Sequence, residues 1–429
     1  MRPVNWQSAR WLRPRAWLIL VVALVLLESG RPDGQRAGSV REDEVRALWV
    51  LRSSLTSPGS IETMVRTAKA SGFNTLLVQV RGRGDAYFSG GLEPRATLLA
   101  NQPLTFDPLA TTITAARAEG VKVHAWVSVN LVSSASELPG AREHVIYRHP
   151  EWLMVPRPLR LELEQIDPQN PAYVGKIARW IRGRPQEIEG LYLSPVSRSA
   201  ADYTISVIAD LAARYAIDGI HLDYARFPNA EFDYSASAIA EFRAEVAADI
   251  DEAERLRLDS AARVDPFAWP DALADRFAAF RRARMTTLVM RLGAAVKTRR
   301  PGIVLSSSVV ADEADAFSQR LQDWRAWAER RLVDVICPMT YTADVDAFRQ
   351  QVTAARDIAG QSVVWAGIGA YRLTPHRTME NILAARRLGV AGVALFSYDT
   401  PSIEPDDRRD VLARIAAALL PELSPSLSR

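Results

Sequence analysis

The 429-residue chain has one cysteine, Cys337. That excludes an intrachain disulfide and any metal site built from several thiolates. Cys337 lies in an apolar strand pattern, where a buried and unreactive thiol is expected. Histidine is scarce as well: five are present, none in an H-x-H pair or a comparable close ligand spacing. Charge of one sign is also lacking. The formal net charge is +3. Residues 1–45, with seven Lys/Arg against five Asp/Glu, supply +2 of it. The rest of the chain is nearly neutral, so a pI near 9.0 carries no nucleic-acid footprint. Two motifs are missing too. The glycine-rich Arg81–Asp85 segment has no strand–GxGxxG–helix context for phosphate, and Ser306–Ser308 has no nucleophile-elbow glycines.

What is present begins with an export pattern. Arg2, Arg10, Arg13 and Arg15 precede the apolar run Ala16–Leu27, AWLILVVALVLL. A basic segment followed by an apolar run of about a dozen residues predicts a signal sequence over residues 1–30, too short for a comfortable transmembrane helix. No clean A-x-A site follows, so a membrane tether through residues 16–27 is the alternative. No cysteine follows the run, which excludes a lipid anchor at that point. Residues 31–45 read as a polar linker, and the last residues, 421–429, as a disordered tail.

Between these ends, strand and helix patterns alternate. Apolar content of 48% is ample for a large core. Strands are expected at Arg46–Leu55, Asn74–Phe88, Val121–Leu131, the segment ending DGIHLD at Asp223, Ile303–Asp312, Val333–Asp344, Val363–Tyr371 and Gly392–Thr400. Helices fall between them, one of them at Pro270–Thr298, where Arg276, Arg281, Arg282, Arg284 and Arg291 read as a solvated outer face. Eight strand–helix repeats predict an α/β fold, a (β/α)8 TIM barrel over residues 46–420, with long connections after the third and fourth strands.

Side chains alternate along a strand. In Val121–Leu131, Val123, Ala125, Val127 and Val129 take one face, and His124, Trp126, Ser128 and Asn130 the other. In the fourth strand, His221 and Asp223 oppose Ile220 and Leu222. Polar groups that face inward gather at the mouth formed by the strands' C-terminal ends. The expected lining is Arg81, Asp85, Trp126, Asn130, His221, Tyr224, Arg226, Tyr341, Tyr371, Tyr398 and Asp399 as substrate-binding residues. Carboxylates with aromatic platforms suit glycosidic-bond cleavage, in which one carboxyl protonates the leaving oxygen and another attacks or activates water. Asp223 is the first candidate, as nucleophile or charge stabiliser, and its partner is Asp312 or Glu313 at the end of the fifth strand. If Ser306 and Ser308 face inward, parity selects Asp312; a bend at Ala311 selects Glu313. Neither a metal nor a cofactor is part of this expectation. The competing readings are a catalytically silent glycan-binding barrel, and a metal-dependent hydrolase such as a deacetylase using His124, His221 and Asp223.

The segments RALWV (Arg46–Val50), GFNTLLVQVRGRGDAYF (Gly72–Phe88), FDPL (Phe106–Leu109), GVKVHAWVSVN (Gly120–Asn130), HPEWLM (His149–Met154), DGIHLDYARFP (Asp218–Pro228) and DVICPMTYTAD (Asp334–Asp344) together resemble the glycosyl-hydrolase-like group related to family 10. The resemblance implies a barrel exported to the bacterial envelope. Some members act on peptidoglycan glycan strands, especially strands stripped of peptides. The family's fourth-strand motif is close to GIHFDDYFYP, and its first Asp matches Asp223. Its second Asp is Tyr224 here, and the next aromatic is Ala225; related barrels carry the DY-x-RFP form that this chain has. The expected partner is thus an envelope or extracellular polysaccharide, possibly peptidoglycan glycan.

Overall fold

The computed structural model describes residues 41–420 apart from 42, 361 and 400–407. The expected export segment, most of the linker and the tail lie outside the described residues.

Eight parallel strands close into a barrel. In chain order the strands are β1 (Val45–Val50), β2 (Thr75–Arg81), β3 (Lys122–Ser128), β4 (Leu131–Ser133), β5 (Leu191–Tyr192), β6 (Gly219–Asp223), β7 (Val304–Val310), β8 (Val335–Met339), β9 (Val363–Gly369) and β10 (Gly392–Phe396). Around the barrel the order is β1-β10-β9-β8-β7-β6-β3-β2, while β4 and β5 pair as a separate antiparallel two-stranded sheet. That small sheet lies within the long connection between β3 and β6. The same connection carries a helix at Pro171–Arg182, and Arg198–Arg214 then leads into β6.

The strands are shorter than the apolar patterns suggest. β1 stops at Val50 and Arg52–Leu55 forms a 3-10 turn; β2 stops at Arg81, β8 at Met339 and β10 at Phe396. The residues beyond these points build the rim rather than extend the sheet. Helix starts follow local chemistry. Ser57 accepts from Ser60 N ahead of Pro58–Ala70, and Asp107 from Ala110 N ahead of Pro108–Ala118.

Two apolar layers hold the barrel. Outward strand residues such as Val78, Val123, Ile220, Leu222 and Ile336 pack on the helices. Inside, Ala47, Trp49, Leu77, Trp126, Val335, Cys337, Trp365 and Ala394 fill the centre. His124 and His221 are buried among these interior side chains. A Cβ on Gly219 would lie 2.3 Å from His124 Nδ1, so glycine there makes room for the imidazole of the neighbouring strand.

The arginine-rich helix differs from its expected role. It runs Ala274–Arg299, after a separate short turn at Ala268–Ala272. Arg276, Arg284 and Arg291 form ion pairs with Asp249, Glu245 and Asp202. Arg281 is not solvated: it is buried, and donates to the carbonyls of Ala230 and Phe232. Its guanidinium ties the loop after β6 to the helix, a backbone-anchoring role that helical periodicity does not reveal.

Candidate active site

The mouth of the barrel holds a cavity of about 400 Å³, with Asp223 at the C-terminal end of β6 among its lining residues. Trp49, Trp126, Tyr224, Tyr341 and Phe396 supply aromatic surface, and Arg52, Arg83 and Arg226 supply charge. Among the described residues, Asp223 is the one carboxylate in this lining.

Three donors converge on Asp223. Ser308 Oγ donates to Oδ1 at 2.5 Å, the Tyr224 backbone N–H to Oδ1 at 2.8 Å, and Trp126 Nε1 to Oδ2 at 3.0 Å. The register explains the convergence. Ser128 pairs with Asp223 across β3 and β6, and His221 pairs with Ser306 across β6 and β7. Trp126 and Ser308, each two residues along from one of these partners, therefore face the same interior. Asp223 is only 9% exposed. Burial pushes its pKa above the ordinary carboxyl value despite the lowering pull of Ser308, Arg226, Tyr224 N–H and Trp126. Oδ2 accepts from one donor here, Oδ1 from two, so Oδ2 has more capacity left for a proton.

The following residue is strained. Tyr224 has φ of 49°, the left-handed region, at a cost on the order of 1–3 kcal/mol for a residue with a Cβ. The turn lets the Tyr224 N–H reach back to Asp223 while its ring lines the cavity. Arg226 Nη2 donates to Glu189 Oε1 at 2.8 Å, with its guanidinium 5.1 Å from the Tyr224 ring centre. Burial alone would raise the Glu189 carboxyl, but Arg226 and the Tyr192 hydroxyl outweigh it and hold the pKa below the ordinary value.

Below Asp223 lies a polar floor. Trp49 Nε1 donates to His221 Nε2 at 3.1 Å, and His221 Nδ1 lies 2.9 Å from Ser306 Oγ. Burial lowers both His221 and His124 to about 3, so both are neutral near pH 7. Both His221 nitrogens are engaged, and His124 packs on Trp365 and Gly219. Among the described residues, no group of three His, Cys, Asp or Glu side chains is arranged to hold a metal ion. The proposed set of His124, His221 and Asp223 is thus not assembled as ligands.

The structure separates the other expected residues. Tyr341 lines the cavity and meets Trp49 and Phe396 at 6.4 Å and 5.8 Å between ring centres. Tyr371 backs Tyr341 edge-on at 6.0 Å. The Tyr398 backbone N–H donates to Trp49 O, joining the β10 end to β1. Asp399 accepts from Leu51 N at 2.6 Å, Ser54 Oγ at 2.5 Å and Ser53 Oγ at 3.1 Å, so its carboxylate closes the same seam. Asn130 is buried and donates to Leu193 O, pinning the two-stranded sheet. Arg81 is fully buried in an ion pair with Glu93 and also donates to Ser128 O. Asp85 lies in a neighbouring cleft and accepts from Arg83 N.

Asp312 and Glu313 need a correction as partners of Asp223. β7 ends at Val310, and Asp312 accepts from Asp315 N as the cap of helix Glu313–Ser318. Glu313 pairs with Arg325 at 3.1 Å. Neither lines the mouth cavity. Parity correctly turns Ser306 and Ser308 inward, but it ceases to apply once the strand becomes a helix cap. The lining residues outside the expected set include Trp49, Gln79, Arg83 and Ser308. For Trp49, Gln79 and Ser308 the signal was available as the inward parity of β1, β2 and β7; Arg83 lies past the end of β2, where parity gives none.

The closed barrel and its aromatic, carboxylate-bearing mouth define a glycoside-hydrolase-like barrel. The family model of glycosyl hydrolase-like 10 matches residues 44–381, and the chain belongs to that family. The glycosyl hydrolase DigH of Escherichia coli K12 is 24% identical over 355 residues, covering 78% of this chain and 65% of that protein. DigH of Shigella flexneri gives the same figures. The chain thus spans 65% of the length of these curated relatives. Solved structures share the fold. The glycoside hydrolase domain of PgaB (BpsB) from Bordetella bronchiseptica aligns with a TM-score of 0.58 and 16% identity, over 86% of this chain and 99% of that one. Alpha-L-fucosidase isoenzyme 2 from Paenibacillus thiaminolyticus aligns with a TM-score of 0.56 and 14% identity, over 87% and 49%.

Proposed function

We propose that this protein is an exported glycoside hydrolase that cleaves glycosidic bonds of a cell-envelope or extracellular polysaccharide, peptidoglycan glycan among them. The observation that carries the reading is Asp223: a nearly buried carboxyl with a raised pKa, at the end of a barrel strand, facing a cavity walled by aromatic rings. Such a group holds a proton to higher pH than an exposed aspartate. It therefore suits the general acid that protonates the leaving oxygen, rather than the nucleophile. Trp49, Trp126 and Tyr341 offer faces for pyranose rings. The second half of the reaction needs a base or nucleophile on the other side of the sugar. Asp85, half-buried in the adjoining cleft, is the carboxylate we assign to it. Export rests on the basic and apolar segments of residues 1–27.

The direct test is release of reducing ends from peptide-free peptidoglycan strands and from neutral polysaccharides. Wild-type protein should release them, and Asp223→Asn should lose at least about a thousandfold while unfolding at no lower a temperature than wild type. Turnover equal to wild type in that variant would remove Asp223 from catalysis. Asp85→Asn should fall comparably; if it does not, the base lies elsewhere. The lone carboxylate in the mouth lining also favours a second reading, a glycan-binding barrel without turnover. That reading predicts binding by both wild type and Asp223→Asn, with no reducing ends from any glycan. Sequencing the mature N-terminus from an envelope fraction tests export.

A further inference from the structure

The charges around the mouth do not balance. Three arginines line it with one carboxylate. Arg226 is neutralised by Glu189 at 2.8 Å. Arg52 and Arg83 are not neutralised in this way. Arg52 Nη1 donates to the neutral amide of Gln79 at 3.0 Å, and Arg83 Nη1 to its neighbour's carbonyl, Gly82 O, at 2.9 Å. Among the described residues neither has a carboxylate within ion-pair distance, and Arg83 Nε is buried with no hydrogen-bond partner. Other half-buried arginines either have a partner acid, as Arg157 does in Asp271 and Arg291 in Asp202, or donate to backbone carbonyls, as Arg95 does to Phe106 O and Arg300 to Tyr215 O.

Both guanidinium groups lack an acid partner, Arg52 meeting the neutral Gln79 amide and the Tyr87 hydroxyl, and both stand in the same place. Arg52, Arg83 and Leu98 line the mouth cavity and also the adjoining cleft of about 460 Å³. They mark the seam between the two. The backbone is shaped to keep them there. A Cβ on Gly82 would lie 2.5 Å from Arg52 Nη1, so that glycine makes room for the guanidinium. His144 Nε2 lies 2.8 Å from Arg83 O and holds the next turn of the loop. Asp85, the acid nearest in sequence, accepts from the Arg83 backbone N–H instead of its guanidinium.

We infer that Arg52 and Arg83 form an anion subsite, which takes the carboxylate of an acidic sugar residue lying beside the sugar that meets Asp223. Neutral hydroxyls satisfy hydrogen bonds but not charge, whereas a carboxylate matches the guanidinium fork in both respects. The natural ligand is then a glycan with free carboxylates, either a lactyl ether carboxylate or a uronate. This deepens the glycoside hydrolase reading and rests on it.

Binding separates the two ideas. The full-length Asp223→Asn protein is titrated calorimetrically with peptide-free peptidoglycan strands and with oligogalacturonate. Each is compared with its neutralised form, carboxyl-reduced strands and methyl-esterified oligogalacturonate. We expect one acidic glycan to bind roughly tenfold or more tightly than its neutral form, since a charge-assisted bidentate contact is lost. Whichever glycan shows the difference identifies the source of the carboxylate. Arg52→Gln and Arg83→Gln should each weaken the acidic glycan and leave its neutral form unchanged, and Arg83→Lys should recover part of the loss. Equal affinity for acidic and neutral forms, equal losses on both in the variants, or no binding of either acidic glycan would overturn the subsite. If a variant fails to fold, the comparison of acidic with neutral glycan still decides. Charge-dependent binding without reducing-end release by wild type would sink the hydrolase reading and leave the subsite standing; hydrolysis without charge preference would do the reverse.

Discussion

Trp126 Nε1 and Asp223 Oδ2 meet at 3.0 Å, although the two residues are 97 positions apart in the chain. The indole comes from β3 and the carboxylate from β6, which are neighbours in the barrel. The contact favours the ionised carboxylate, against the burial that favours the protonated one. Trp126→Phe removes the donor and keeps the aromatic wall. Any glycosidase activity should fall roughly ten- to a hundredfold, the loss of one charge-assisted hydrogen bond. Because a donor to the ionised form is removed, the Asp223 pKa rises further. The alkaline limb of the kcat/KM profile should therefore move to higher pH, and an unmoved limb would argue against Asp223 as the acid.

Asp223 also carries a stability signature. Its folded pKa lies above the ordinary value, so ionising it costs stability at every pH above that folded pKa. The cost fades as pH falls through the raised pKa towards the ordinary aspartate value of about 3.9. Denaturant unfolding of Asp223→Asn should therefore show its greatest advantage over wild type near pH 7. That advantage should shrink towards pH 4.

The buried Arg81–Glu93 pair, at 2.6 Å with neither side chain exposed, predicts a different behaviour. Arg81→Met leaves Glu93 buried without its cation and should cost about 3–5 kcal/mol in denaturant unfolding. The double variant Arg81→Met/Glu93→Leu should regain most of that. If the single and double variants are equally unstable, the contacts of Arg81 with the β3 carbonyls matter more than the ion pair.

Asp312→Ala tests the correction at the end of β7. It removes a helix cap and should cost about 1 kcal/mol. Activity under saturating glycan should be unchanged. A thousandfold loss of kcat, with the expected modest destabilisation, would return Asp312 to the catalytic pair.

Much of this was legible along the chain. Strand–helix alternation with glycine and polar stops determined the barrel, because each strand must bury both faces. Period-two parity determined that Trp126, His221 and Asp223 share the inward face of their strands, since side chains alternate whatever the tertiary context. The tertiary structure alone decided which of the rim residues meet. Arg81, Asn130, Asp399, Asp312 and Glu313 have the composition of a site. Their hydrogen bonds instead go to Glu93, to Leu193, to the β1 turn, to a helix cap and to Arg325. Beyond the last strand residue the chain turns, parity no longer applies, and a carboxylate's role depends on which donor the turn brings near. The same holds for Arg52 and Arg83. The sequence shows two arginines among many, and only the closed barrel shows that these two share one cleft lining, with Asp85 in the same cleft but turned to the Arg83 backbone N–H.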